Sequence, residues 1–488
     1  MAVTCGVSTG AEIVTQINQN EAGLSENFKD AYIDTISDLG LIDLAIFDVV
    51  NIKGYNSIND GGGGVFNYDA TIDRTTANGG TIIDATGTGT GNGCWVRQYE
   101  GSVNVKWFGA VGDGVTDDSP AFNSAIQASS VVEVDDTASG YLLGATLAIN
   151  KPVTLRGISE HTKLKVNTAM QIFTITSSEV RIESFRIDGN PATPASVFLL
   201  GTSVTSMDFI YLEGIYSLNC ADFVKDEANG INTIVNLHIK DCTHRLSLGR
   251  GVLLADAFAF IFFTNFTIDY VGVTAPSSNV PAFSVSNNQG LICTDCDILG
   301  GEITGFATRW GFNVEDSAAT HFIRCNADTM GGYGFRFVNV ESVRLVDTTA
   351  SLCDNIGYLI AGTTFDLQGS NVYARGRDGL TPATASVNGI DIQGTTANTN
   401  LSNVTTKNNT GHGIQTSGTS TEMINGIYSH SNVGYGVNMG GTSSLVNGAK
   451  TVANGTGNYF LVGATNHIAD IQLSTGVLVN TLTGPANG

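Results

Sequence analysis

Six short segments open on glycine and repeat one another at nearly fixed spacing: GFNVED from Gly311, GFRFVN from Gly334, GYLIAG from Gly357, GIDIQG from Gly389, GIQTSG from Gly413 and GVNMGG from Gly436. The first three are 23 residues apart, and the last three are 24 and 23 apart. Phe312 and Val314, Phe335 and Phe337, and Ile390 and Ile392 alternate with Asn313, Arg336 and Asp391. Successive strand side chains point to opposite faces, so the first set is predicted to face inward and the second outward. One such unit cannot bury its inward face alone, whereas a stack of copies can.

A second series supports the same period. Ser184, Glu213, Cys242, Asn265, Cys296, Cys325, Asp347, Asn371, Asn403, Asn425 and Asn447 recur every 22 to 32 residues. They are expected to stack at a turn as a column of small polar or thiol side chains, one per coil. The predicted fold is all-β: a right-handed parallel β-helix, or solenoid, over 141–465. Its eleven aligned coils would make a shaft of about 50 Å at ~4.8 Å per rung. The longer coils carry insertions, such as Ala275–Pro281 and Gly376–Ala385, and insertions on solenoids tend to line a binding face.

The chain has 59 glycines and 8 prolines, which suits many tight turns and few interrupted ladders. Only 14% of residues are charged, yet the net charge is -22. That balance argues against a nucleic-acid partner, which needs clustered Lys and Arg. The eight cysteines are scattered, and the lone pair Cys293 and Cys296 lacks the second pair of ligands that zinc requires. They are read as reduced, packed thiols, and neither a metal nor a cofactor is expected. Met1–Gly10 has no basic start and no apolar run, so synthesis in a cytoplasm without a signal peptide is expected. The most apolar stretch, Leu253–Phe263, is interrupted by Asp256 and too short to span a bilayer, so no membrane insertion is expected.

Upstream of the repeats, Val103, Val105 and Trp107 read as a short strand, and Gly109, Gly112 and Gly114 allow tight turns. Ser119 and Pro120 read as an N-cap and first helical residue, with Phe122, Ala125 and Ile126 on one face of a short helix. Such a helix suits a plug on the open end of a stack of strands. Asp113, Asp117 and Asp118 are read as turn and cap residues. The stretch WFGAVGDGVTDDSPAFNSAI resembles the opening motif of pectate-lyase-like right-handed β-helices. Together with KGY, GGGGVFNYD, NGGTII and CWVRQYEGSVNVKWFGA, it makes the region from Asp43 to Ala128 resemble the N-terminal part of phage tailspike proteins. The resemblance implies a virion-attachment segment at 1–40, a β-rich neck at 41–101 and the solenoid opening with its capping helix at 102–140. A C-terminal closure is expected at 466–488. The resemblance also implies a homotrimer, a virion tail or baseplate partner for the N-terminal segment, release by lysis, and a host surface polysaccharide as target.

Charge thins out along the repeats. From Gly379 onward the acids are Asp391, Glu422 and Asp470 and the bases Lys407 and Lys450. A site is therefore expected in the middle coils, with the uncharged outer faces of the last coils suited to subunit packing or sugar contact. EITGFATRWGF, from Glu302 to Phe312, runs on to Glu315 and Asp316. It combines paired acids for glycosidic cleavage, an aromatic ring to cover a sugar face and an arginine fork. Glu302, Glu315 and Asp316 are the catalytic candidates, with Asp256, Asp295 and Asp297 behind them. Arg309, Trp310 and Arg336 are the substrate-binding candidates. Arg309, Arg336 and Arg344 are expected to offer a local positive exception to the acidic field. Asp316 stands where later repeats have Gly362, Gly394, Gly418 and Gly441, a position Asn339 takes one coil on. His412 lies in a GHG triplet that resembles polygalacturonases. The repeat aligns it with Tyr333 and Tyr435, however, and that family's paired aspartates and basic motif are missing. Asp188 reads as a turn residue. The expected function is a tailspike that binds a host polysaccharide and depolymerises it by endo-acting hydrolysis or lyase cleavage. A purely adhesive spike and a free bacterial polysaccharide lyase are the alternatives.

Overall fold

The computed structural model describes residues 30–201, 206–226, 233–255, 257–270, 281–300, 310–376, 387–440, 443–461, 467–472, 478–483 and 486–487. Most of the expected attachment segment, the insertion 275–281 except its last residue, nearly all of 376–385, and Asp256, Glu302 and Arg309 lie outside the described residues. The chain divides into two compact units, 1–167 with 181–186, and 168–180 with 187–488.

The first unit opens with a five-stranded sheet in the order Asp30–Ile33, Val49–Ile52, Gly64–Asp73, Asn92–Arg97, Ile82–Asp84. The first pair is parallel and the others are antiparallel. Phe47, Val50, Phe66 and Trp95 form its core. Arg97 is only 4% exposed, and its guanidinium is satisfied by backbone carbonyls instead of a carboxylate. It donates to Gly62 and Gly63 at 2.7 Å each and to Gly80 at 3.1 Å. Burial pulls its pKa down to about 10. The glycine tract has a reason here: a Cβ at Gly64 would lie 2.2 Å from the guanidinium.

The helix Ser119–Ala128 buries Phe122, Ala125 and Ile126, as its periodicity predicts. Its N-cap is Asp118, one residue earlier than expected. The Asp118 carboxylate accepts from the N–H groups of Val111 (2.6 Å) and Gly112 (3.1 Å) and so closes the glycine turn. The Ser119 hydroxyl accepts from the N–H groups of Gly144 and Ala145 instead of capping its own helix. Asp113 and Asp117 hold turns, accepting from Val115, Thr116, Ser119 and Gly144. The strand Val131–Val134 then pairs in parallel with Val153–Gly157, and Gly140–Leu142 with Lys163–Lys165.

The second unit is a right-handed parallel β-helix, and the full solenoid has about 12 turns. One interior line runs in register through Phe283, Phe312, Phe335, Tyr358, Ile390, Ile414, Val437 and Tyr459. Every member is at most 2% exposed, and Phe335 and Tyr358 stack at 4.8 Å with planes 4° apart. Full burial of one such ring stabilises by about 1.5–3 kcal/mol, so the line is a main source of cohesion. Its alternation with outward residues is the pattern read from the glycine-led repeats.

The polar column keeps the expected register at four coils and lies one residue away from it at six others. The in-register bend positions are Gly214, Asp241, Asn265, Asp295, Arg324, Asp347, Asn371, Asn403, Gly426 and Gly448, all with positive φ. Asn265, Asp347, Asn371 and Asn403 belong to it as predicted. Cys242, Cys296 and Cys325 lie one residue later, and Glu213, Asn425 and Asn447 one residue earlier. A left-handed residue turns the chain outward there, so polar side chains stack at the bend and the next residue turns into the core. Side chains along the column bond one another: Asn265 to Asp241 at 2.8 Å, Asn371 to Asp347 at 2.6 Å and Asn403 to Asn371 at 3.1 Å. The seven described cysteines are free and buried. Cys242, Cys296 and Cys325 donate to carbonyls two residues back at 3.1 to 3.4 Å. The parallel pattern ends with antiparallel pairs, His467–Gln472 with Leu478–Thr483 and Gly457–Leu461 with Ala486–Asn487.

Candidate functional site

The 14-stranded sheet carries an outward line beside its interior one: Ser284, Asn313, Arg336, Leu359, Asp391, Gln415 and Asn438, one from each successive strand. Two groups of side chains stand on it.

The first group is built on the strands Trp310–Ser317 and Phe335–Val340. Register places Arg336 beside Asn313. Its Nη1 donates to Asn313 Oδ1 at 2.6 Å and forms an ion pair with Glu315. The guanidinium lies 5.1 Å from the centre of the Trp310 ring, and Tyr333 meets the same ring edge-on at 5.1 Å. A Cβ at Gly332 would come within 2.1 Å of the indole, so that glycine makes the indole's seat. Trp310 is thereby fixed from three sides and is half-buried. Three of the expected residues, Trp310, Arg336 and Glu315, are thus brought together.

The others are placed apart. Asp316 sits at a bend with φ 45° and accepts from Asn339 Nδ2 at 2.9 Å, while Asn339 Oδ1 accepts from the N–H of Thr363. Asp295 is held by both arms of Arg324, at 2.6 and 2.7 Å, which lowers its pKa. Asp297 is raised by burial and by the Asp295 charge. The expected positive exception is not assembled as supposed. The charge of Arg336 is spent on Glu315, and Arg344 lies on the other long sheet, in the strand Val343–Val346 beyond the Asn339 bend.

The second group was not foreseen. Two strands beyond Arg336, roughly 10 Å at the strand spacing, Asp391 is only 3% exposed. Its Oδ2 accepts from Asn388 Nδ2 at 2.9 Å, and its Oδ1 has no hydrogen-bond partner among the described residues. Burial pushes the carboxyl pKa up, against the Asn388 hydrogen bond and the nearby Gln393 and His412 side chains. The same Asn388 amide reaches Gln415 Oε1 at 3.0 Å, and Asn388 Oδ1 accepts from the N–H of His412 at 2.8 Å. His412 Nδ1 accepts from the N–H of Tyr435 at 2.8 Å. That bond leaves the ring proton on Nε2 and disfavours the imidazolium, which has no acceptor nitrogen. Burial lowers the His412 pKa in the same sense. His412 also stacks on Tyr435, its neighbour in the repeat alignment. The group therefore offers an acid biased toward its neutral form beside a neutral imidazole and two amides. One signal pointed to it: Asp391 is one of three acids in a 110-residue stretch, and a lone carboxylate in neutral surroundings needs a reason.

Residues 32–100 match the family described as phage tail protein small four-stranded β-sheet domain. Residues 102–190 match rhamnogalacturonase A/epimerase, pectate lyase-like. No curated protein matches the chain. Among solved structures it is similar to the enzymatically active domain of tailspike protein 2 of bacteriophage CBA120, at 15% identity over 95% of this chain and 59% of that one, with a TM-score of 0.36. It is similar to the tailspike of Acinetobacter phage vb_AbaP_AS12, at 13% identity over 94% and 77% of the two chains and a TM-score of 0.46. A third likeness is the A-module of the Azotobacter vinelandii mannuronan C-5 epimerase AlgE4, at 15% identity over 75% and 99% and a TM-score of 0.45. The chain spans about three-fifths of the length of the first of these structures. The two matched segments together span residues 32–190, and the described residues beyond them continue as a parallel solenoid.

Proposed function

We propose that the chain is a virion tailspike that binds a host surface polysaccharide on the outer face of its 14-stranded sheet and depolymerises it there. The carrying observation is the Trp310 indole, held half-buried at the surface by Arg336, Tyr333 and the Gly332 seat. A large aromatic ring kept at the surface by such support suits stacking on a sugar ring. Beyond it the outward line supplies amides and one unusual carboxyl. A proton donor to a glycosidic oxygen must hold its proton near neutral pH. Asp391 is the acid on this line whose surroundings favour that. Glu315 is tied to Arg336 and Asp316 to its bend.

The chain is proposed to act as a homotrimer attached to the tail through its N-terminal segment. The test incubates the purified protein with host capsule or lipopolysaccharide and follows binding and chain length. Trp310→Ala should weaken binding by about 1–3 kcal/mol, the scale of one lost aromatic anchor. Glu302→Gln, Glu315→Gln, Asp316→Asn and Asp391→Asn should still bind, and at least one should abolish cleavage. Unchanged binding by Trp310→Ala would place the site elsewhere. Intact polysaccharide after incubation with wild type would leave an adhesive spike, a reading that the pairing of Glu315 favours.

A further inference from the structure

A cavity of about 450 Å³ lies on the other long sheet, lined by Arg344, Asp366, Gln368, Ser370, Asn400 and Ser402 among others. That volume is within the range of small-molecule sites, about 300–1,000 Å³. Register builds it from three neighbouring coils: Arg344 pairs with Gln368, Gln368 with Asn400, and Ser370 with Ser402. Leu345, Leu367 and Leu401 are buried in the solenoid, so Arg344, Gln368 and Asn400 face out.

Arg344 differs from the other arginines of the neighbouring coils. Arg324 is taken up by Asp295 and Arg336 by Glu315, whereas Arg344 is exposed and has no ion pair or hydrogen bond among the described residues. In a chain of net charge -22, an exposed guanidinium without an ion pair in a concavity is a positive group available to a ligand. Its register neighbour His321 is pushed toward the neutral form by burial and by Arg344 itself. Asp366, the one carboxylate among the described lining residues, accepts from Gln368 Nε2 at 3.0 Å. Ser402 donates to the Gly369 carbonyl at 3.2 Å, and Ser370 and Asn400 add further donors and acceptors. A single guanidinium fork amid hydroxyls and amides fits a carboxylate carried on a polyol ring.

We propose that this groove is a second carbohydrate subsite, separate from the Trp310 face, that takes an acidic sugar unit. Arg344 holds the sugar carboxylate, and Asn400, Ser370 and Asp366 hold hydroxyls. The proposal rests on the reading of the chain as a polysaccharide binder, and it makes at least one sugar of the repeating unit a carboxylate-bearing one.

The test uses tetrasaccharides of gluco-, galacto- and manno-uronate, each as the free acid and as its methyl ester, titrated calorimetrically against the full chain. The ester keeps the ring and removes the charge. At least one free acid should bind, and its ester should bind roughly tenfold more weakly. Arg344→Gln should produce a comparable loss and Arg344→Lys a partial one. Arg344 is exposed, so unchanged melting temperatures are expected for its variants. Equal binding of acid and ester, affinity unaffected by Arg344→Gln, or no binding of any free acid would overturn the proposal. If uronate binding depends on Arg344 while host-glycan binding survives Trp310→Ala, the reading of the Trp310 face fails and the groove stands.

Discussion

Asp391 has one oxygen bonded to Asn388 and the other without a partner among the described residues. Because burial raises its folded-state pKa above the unfolded one, it stabilises the fold fully below the unfolded value, and that contribution is lost as pH rises through the folded value. Asp391→Asn keeps the Asn388 contact and removes the titration. Its melting temperature should match wild type near pH 3 and exceed it at pH 7, with the gap opening across the carboxylate range. A constant gap at all pH values would show that Asp391 is not held toward its neutral form. Trp310, Arg336 and Glu315 were legible in the sequence because the strand period aligns their coils and sets Asn313, Glu315 and Arg336 outward. Asp391 was passed over because scarcity of charge was taken as a sign that chemistry was absent. In a buried site, that scarcity is what shifts a carboxyl.

At the scale of elements, the bends decide what each coil tolerates. Gly394 has φ 83°, and an added Cβ would stand 2.5 Å from the Gly362 carbonyl of the coil before. Gly448 has φ 64° with nothing nearer than 3.6 Å. Gly448→Ala should therefore lose only the left-handed preference, about 1 kcal/mol, and Gly448→Asn less, since asparagine already fills this column at Asn371 and Asn403. Gly394→Ala should lose about 3 kcal/mol, strain and clash together. Thermal melts of the three variants would order them, and equal losses would remove the steric account. The strands were legible because inward side chains repeat in kind, phenylalanine over phenylalanine. Several bends were displaced by one residue because small polar residues and cysteine are interchangeable in a pattern read by polarity and size. Only φ separates the residue that stacks outside from the thiol that turns in.

For the whole molecule, the last coils expose Met423 (45%), Tyr428 (41%) and Val433 (61%) in the stretch with few charges. Such a surface favours burial against copies of itself. Light scattering at micromolar concentration should return three times the chain mass of 51.0 kDa, and Val433→Asp with Met423→Asp should lower it. A mass of one chain for the wild type would count against the trimer. The thiols that line the coils have a different consequence. Burial raises Cys220 and Cys242 to about 12, and Cys293, Cys296 and Cys325 are raised as well, so none is a ready nucleophile in the native state. An alkylating reagent reaches each one only when its own coil opens. Cys220, Cys242, Cys293, Cys325 and Cys353 stand on successive stretches of the stack, so their modification rates form a set of local clocks. The order in which they react would show whether the solenoid unzips from one end or gives way in the middle.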